Sequence, residues 1–169
     1  EPVFSRYPEK VADWGIEALD RCADGLRAQT AVHVCYSYTI PGVERPIKPS
    51  YPQILAELEK STIDQLALEF QAPQLDPALL ELCPSKTVIF GCIDNANSEI
   101  EDSQAIAQRL LAAAEHHDPE KLQPAPDCGL LLLSQATARA KLSALFRGTQ
   151  IARDRLADPR GRAHGHHHD

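Results

Sequence analysis

Between Pro8 and Leu156 the chain alternates, unit after unit, between segments with the two-residue period of a strand and segments with the 3.6-residue period of a helix. This alternation constrains the fold more than any other feature. A strand can lie parallel beside the previous one only if the intervening segment crosses back over the sheet, and such crossovers are right-handed. The expected class is α/β with a parallel sheet, either doubly wound or closed into a barrel.

The units read as follows. Val11, Trp14, Ala18 and Cys22 fall at helical spacing over residues 8–26, with Gly25 as the C-cap. TAVHVCYS is the first strand, and a Pro- and Gly-containing loop over residues 39–52 is long for a connection. A short helix (52–60) precedes IDQLALEF, a second strand with Glu69 near its end. Asp76 and Pro77 form an N-cap and first helical residue for a brief helix through Leu82. KTVIFGC is the clearest strand, and Ser98 with Glu101 predicts a capping box for the helix carrying Ile106, Leu110, Leu111 and Ala114. KLQPAP is a fourth strand weakened by its prolines. A long helix follows from about Ser134 to Leu156, with Ala138, Leu142, Leu145 and Ala152 along one side. Residues 1–157 form the expected domain, and 158–169, ending in HGHHHD, a flexible His-containing tail or expression remnant that binds divalent metals by itself.

In parallel α/β folds the active residues gather at the C-terminal ends of the strands, where His33, Cys35, Glu69, Cys92 and Cys128 all fall. His33 and Cys35, two apart on a strand, leave the same face, while Val32, Val34 and Tyr36 leave the other. His33, Cys35, Glu69 and Cys128 supply an N, S, O, S set that suits tetrahedral zinc better than magnesium or calcium. The alternative is a half-buried strand that merely holds two polarisable residues.

Composition removes other classes. A net charge of −7 offers no basic stripe for phosphates, and with 5% aromatic residues base-stacking platforms are scarce, so nucleic acid is not an expected partner. No apolar run spans a bilayer and no signal peptide opens the chain, which predicts a cytoplasmic protein without a membrane partner. Five irregularly spaced cysteines predict reduced thiols or metal ligands rather than a disulfide framework. The absence of any Met and the opening EPVF suggest a piece of a longer polypeptide.

HVCYS, LALEF and APDCGL, in this order and at comparable spacing, resemble the catalytic domain of cobalamin-independent methionine synthase and its relatives, the epoxyalkane:coenzyme M transferases and other zinc-dependent thiol alkyltransferases. The opening EP is similar to that family's DEP segment, and the likeness covers most of residues 1–155. It implies a (β/α)8 TIM barrel in which His33, Cys35, Glu69 and Cys128 hold Zn²⁺, the metal stabilises the acceptor's thiolate, and that thiolate attacks an alkyl carbon in line. Glu1, from EP, becomes a candidate for contact with substrate, and Cys92, by its place at the end of the third strand, is either in contact with substrate or metal or a small buried hydrophobe.

The departures from the family pattern fall on the donor half of the reaction. The family's Asp-x-His, whose His is thought to protonate the departing folate, corresponds to GCIDNANSE, where Asp94 is kept and Ala96 replaces the His. The family's folate-contacting Glu aligns with Arg6, and the Asp of DEP would precede Glu1. A full barrel needs roughly 250 residues, so this chain is expected to be the C-terminal half, with parallel strands, pairing with the N-terminal half-barrel or an oligomer partner.

Outside the ligand set, Cys22 is expected in the core and Cys83, beside Pro84, to be inert. His116 and His117 are expected to complement a helix dipole, Asp127 to orient a ligand or fix its turn, and Tyr36 and Tyr38 to line a pocket or pack. The function expected is a methyltetrahydropteroyltriglutamate–homocysteine methyltransferase-like reaction, the zinc-dependent transfer of a methyl or small alkyl group to a thiol such as homocysteine. The alternatives are transfer to another thiol from a non-folate donor, and a zinc-binding non-catalytic subunit.

Overall fold

The computed structural model describes residues 2–36, 50–158 and 160. Glu1, Tyr38, most of the 39–52 loop and the HGHHHD tail lie outside the described residues. The order along the chain is α1 (Pro2–Arg6), α2 (Pro8–Lys10), a π-helical stretch Val11–Gly15, α3 (Ile16–Ala23), β1 (Ala31–Val34), α4 (Tyr51–Leu58), β2 (Gln65–Glu69), a 3₁₀ stretch Pro77–Leu82, β3 (Thr87–Ile93), α5 (Ser103–His116), β4 (Leu122–Pro126) and α6 (Gln135–Ala157). All four strands are parallel and lie in the order β1-β2-β3-β4. A doubly wound sheet reverses its order at a switch point, whereas sequential neighbours all the way across are the pattern of a barrel wall. The chain folds as half of a (β/α)8 barrel.

The two faces of the sheet differ, as the strand alternation requires. Val32, Val34, Leu66, Leu68, Val88 and Phe90 are buried in one cluster with Ile54, Leu55, Ile106 and Leu110 of the helices, each contributing about 1.5–3 kcal/mol of apolar burial. On the opposite face His33, Gln65, Ala67, Thr87 and Ile89 are only half-buried and Ala31 is exposed. That face lines the interior of a closed barrel, and among the described residues it is left partly open.

Several local expectations are met at the atomic level. Asp76 caps the 3₁₀ stretch by accepting from Ala78 N at 2.9 Å, and Ser134 caps α6 by accepting from Thr137 N at 3.1 Å. Gly25 ends the first helical rod at φ 79°, a conformation that favours glycine. KLQPAP does form β4, because an outer strand tolerates prolines whose missing N–H groups face away from its one neighbour.

Others are corrected. Cys22 is exposed rather than in the core, and Trp14 is 49% exposed. The cause is the π-helical stretch, whose wider turn shifts the phase of everything after it. The inward face becomes Val11, Gly15, Ile16, Leu19 and Ala23. The helix after β3 begins at Ser103 with Asp102 as its cap, accepting from Gln104 N at 3.1 Å, so Ser98 and Glu101 form no capping box. Leu142 is exposed, and the buried face of α6 is Lys141, Ala144, Leu145, Gly148 and Ala152. His116 and His117 bond sideways rather than to the carbonyls of α5. The first pairs with Glu81 Oε1 at 3.1 Å, and Nε2 of the second donates to Lys86 O at 2.8 Å. Among the described residues no helix is long and apolar enough to cross a membrane.

Candidate metal centre

The C-terminal ends of the four strands are tied together by a small set of buried polar groups. Tyr51, at the start of α4, donates its hydroxyl to Val34 O at 2.7 Å and accepts from Glu69 N at 3.1 Å, joining the ends of β1 and β2. Burial holds the Tyr51 phenol well above its ordinary pKa, which keeps the proton that it donates. Its ring lies 4.7 Å from that of Tyr36 and 6.3 Å from that of Phe70, which in turn lies 4.9 Å from Phe90. These four rings belong to the buried core cluster.

His33, Cys35 and Cys128 converge, with one donor atom from each within 4.8 Å of the others. His33 stands on β1 and Cys35 just past the strand's end at Val34, and the short extended spacing between them brings their donor atoms to the same point. Cys128 comes from the turn after β4, three strands away, and only the curvature of the sheet brings it near. His33 Nδ1–H donates to Ala67 O at 3.0 Å, which fixes the tautomer with its lone pair on Nε2. Tetrahedral zinc at ordinary Zn–S and Zn–N lengths needs donor spacings of roughly 3.5–3.8 Å. Side-chain rotations of about 1 Å close the group to that size, so the residues present fit a zinc ion.

Glu69 lies fully buried at the end of β2, and its Oε2 accepts the Tyr36 N–H. It is adjacent to the group of three without being a member of it. Cys92 is 1% exposed within the cluster of Val88 and Phe90, where its thiol donates to Ala125 O at 3.6 Å. This is the placement of a small interior hydrophobe. Asp94 is turned into its own loop, where Oδ1 accepts from Ala96 N at 2.8 Å and Oδ2 from Asn97 Nδ2 at 3.1 Å.

Asp127 is buried beside Cys128, and its carboxylate accepts three backbone N–H groups, from Phe70 at 3.1 Å, Gln71 at 3.1 Å and Ala72 at 2.7 Å. It therefore holds the segment that leaves β2 just after Glu69. Burial pushes this carboxyl up to about 7, against the pull of the hydrogen bonds from Ala72 and Gln71. Arg109 supports the same segment from α5, with Nη2 donating to Phe70 O at 2.7 Å and its guanidinium 5.9 Å from the Phe90 ring centre.

Sequence reasoning missed Tyr51, Asn95, Arg109 and Lys141. Only Lys141 carried a signal, since it sits inside the apolar stripe of its helix between Ala138 and Leu145.

The thiols differ enough for a direct chemical test. Burial pushes both Cys83 and Cys92 up to about 12, so at pH 8 about one in ten thousand of either is thiolate. Because the thiolate is the nucleophile, alkylation of these two should be very slow at pH 8 and rise about tenfold per pH unit toward 11. Cys22, exposed, should react first. Peptide mapping after timed iodoacetamide treatment measures this order, and rapid labelling of Cys92 at pH 8 would contradict its placement.

Three comparisons bear on this site. The sequence profile of the family described as "Cobalamin-independent synthase, Catalytic domain" matches residues 5–150. Proteins named methionine synthase are similar over 92% of the chain. The one from Saccharolobus islandicus (strain Y.G.57.14 / Yellowstone #1) is 32% identical over 160 residues, and that from Sulfurisphaera tokodaii 29% over 156 residues. The chain spans 44% and 42% of their lengths, less than half of either relative. A solved structure of a B12-independent methionine synthase from Shewanella sp. W3-18-1, in complex with selenomethionine, superposes with a TM-score of 0.85 at 38% identity, covering 92% of this chain and 48% of that one.

Proposed function

The chain belongs to the family of cobalamin-independent synthase catalytic domains, and from that premise we propose that it carries the metal-binding half of a zinc-dependent transferase that moves a methyl or small alkyl group onto a thiol such as homocysteine. The observation that supports this most is the convergence of His33, Cys35 and Cys128 within 4.8 Å at the C-terminal end of the sheet.

In this reading His33, Cys35 and Cys128 hold the ion, and Glu69 is the fourth donor, its carboxylate kept beside the end of β1 by the Tyr36 N–H. A zinc ion bound there supplies a Lewis acid that favours the thiolate form of an acceptor thiol at neutral pH. The two cysteine thiolates and the Glu69 carboxylate surround that position with three negative charges, which leaves electron density on the acceptor sulfur and keeps it nucleophilic. Tyr51 and Asp127 hold the strand ends at fixed spacing, so the donors are ordered before any ligand arrives. The half-buried face around His33, Ala67 and Ile89 is the surface the second half-barrel would cover, excluding water from the transfer. The five cysteines are free thiols, which suits a reducing cytoplasm.

A second reading is favoured by one residue. Ala96 stands where the family's His is expected and has no proton to give, so an alkyl donor whose leaving group departs without protonation at that position, passing its alkyl group to another thiol, fits this loop better than a folate.

Zinc-edge X-ray absorption on the full chain, with tail residues His164, His166, His167 and His168 changed to Ala, tests the proposal. Adding homocysteine should produce one new Zn–S contact. A spectrum that does not change would instead support a closed structural site and a zinc-binding subunit without catalysis. Because the chain spans less than half of its relatives, it should bind zinc alone yet show transfer activity only with the complementary half-barrel supplied. Full turnover by the isolated chain, measured as methionine formed, would refute that division.

A further inference from the structure

Lys141 is an ammonium with 0% side-chain exposure, two turns into α6. Taking such a charge out of water is costly unless it is paired and fully hydrogen-bonded. Its partners are Glu101 Oε1 at 2.7 Å, Asp94 O at 2.9 Å and Asn97 Oδ1 at 3.3 Å. All three belong to the segment 94–101 that leaves β3, and none belongs to α6. All of the ammonium's hydrogen bonds therefore go to that loop rather than to its own helix.

The loop is organised from within by turns at Asp94 and Asn97, whose side chains accept from Ala96 N at 2.8 Å and Glu99 N at 3.1 Å. It is also tied outward. Asn95, 2% exposed, donates Nδ2 to Gly129 O at 3.3 Å, one residue past Cys128. A continuous path thus runs from the Lys141 ammonium through the 94–101 loop and Asn95 to the turn that presents the Cys128 thiol.

We propose that Lys141 is a positioning residue for Cys128: its buried charge clamps the 94–101 loop, and the loop, through Asn95, holds the Cys128 turn over the centre. The proposal rests on Cys128 being a metal ligand only for its functional meaning, since the clamp itself can be read from the thiol without any metal.

The test is the alkylation rate of each cysteine in the full metal-free chain at pH 8, with Cys22 as the exposed reference and Cys83 as the reporter of global opening. Lys141→Met, similar in length but uncharged, should raise the Cys128 rate about tenfold relative to Cys22 while Cys83 stays slow, as expected for local rather than global opening. Asn95→Ala should act in the same direction, and combining the two should add little, because both cut one path. Glu101→Gln keeps an acceptor and gives a milder version of the same change should Lys141→Met not fold. An unchanged Cys128 rate, or a rise shared equally by Cys83, would overturn the proposal and leave Lys141 a purely structural residue. In chains with the tail histidines replaced, Lys141→Met should also weaken zinc binding about tenfold. If the parent chain bound no zinc, the reading of the site would fail while the thiol rates still decided the clamp.

Discussion

Changing Cys128 to Ser should eliminate stoichiometric zinc binding. The serine hydroxyl is neutral at any physiological pH, so the substitution removes one of two thiolates from a group of three donors that lie within 4.8 Å. What remains of the group is one imidazole and one thiolate, with Glu69 held by the Tyr36 N–H. A loss of at least about 100-fold in affinity is expected, because metal retention depends on every member of the set. The measurement is metal content after dialysis against a weak chelator, in a chain whose four tail histidines have been replaced. The parent should retain one zinc and the variant none, whereas Cys22→Ser, on the exposed face of α3, should retain one. A Cys128→Ser protein with undiminished zinc would remove the main support for alkyl transfer. Folding should survive the change, since Cys128 is only half-buried.

The second large effect concerns Gly91 in β3. A Cβ at this position would stand 2.2 Å from Asp127 Oδ1 and 2.6 Å from Leu68 O. Neither neighbour can yield cheaply. Leu68 O is part of the sheet backbone, and Asp127 Oδ1 accepts from Phe70 N and Gln71 N. Gly91→Ala should therefore destabilise the fold by about 3 kcal/mol. Denaturant unfolding followed by circular dichroism reads this as a drop in midpoint. An alanine variant as stable as the parent would mean that the ends of β2, β3 and β4 are not packed as described. Because the displaced atom belongs to Asp127, the same variant should also loosen the neighbouring Cys128 turn, visible as faster alkylation of that thiol.

These two predictions divide along the line between what is local and what is not. The pairing of His33 with Cys35 was legible because the two-residue period of extended backbone is set within a few residues. The parallel α/β class was legible for a related reason, since each strand–helix unit buries its own apolar face and leaves its signature in sequence. KTVIFGC, Asp76–Pro77 and the start of α6 at Ser134 all followed from such short-range rules.

The misreadings share a different cause. A single wide turn at Val11–Gly15 rotated the face of the first helical rod and put Cys22 in solvent. Helical periodicity assumes an unbroken helix and has no term for that insertion. Ser98 and Glu101 had the spacing of a capping box, yet Glu101 is bound to Lys141 and Asp102 caps α5 instead. Helical periodicity gave Lys141 no role, although it is the most completely enclosed charge on that helix.

By itself, then, the sequence determined which segments become strands and helices, that the strands run parallel, and that an imidazole and a thiol leave one strand together, because these depend on residue type and spacing within a few positions. Strand-end placement already proposed Cys128 and Glu69 as partners of that pair, but only the tertiary structure shows Cys128 within 4.8 Å of it, Glu69 held by Tyr36 and outside that group of three, and Asp127 securing the segment beyond. Those outcomes depend on how the sheet and its buried hydrogen bonds bring together residues from 33 to 128, and placing residues at strand ends says which end they share but not which of them touch.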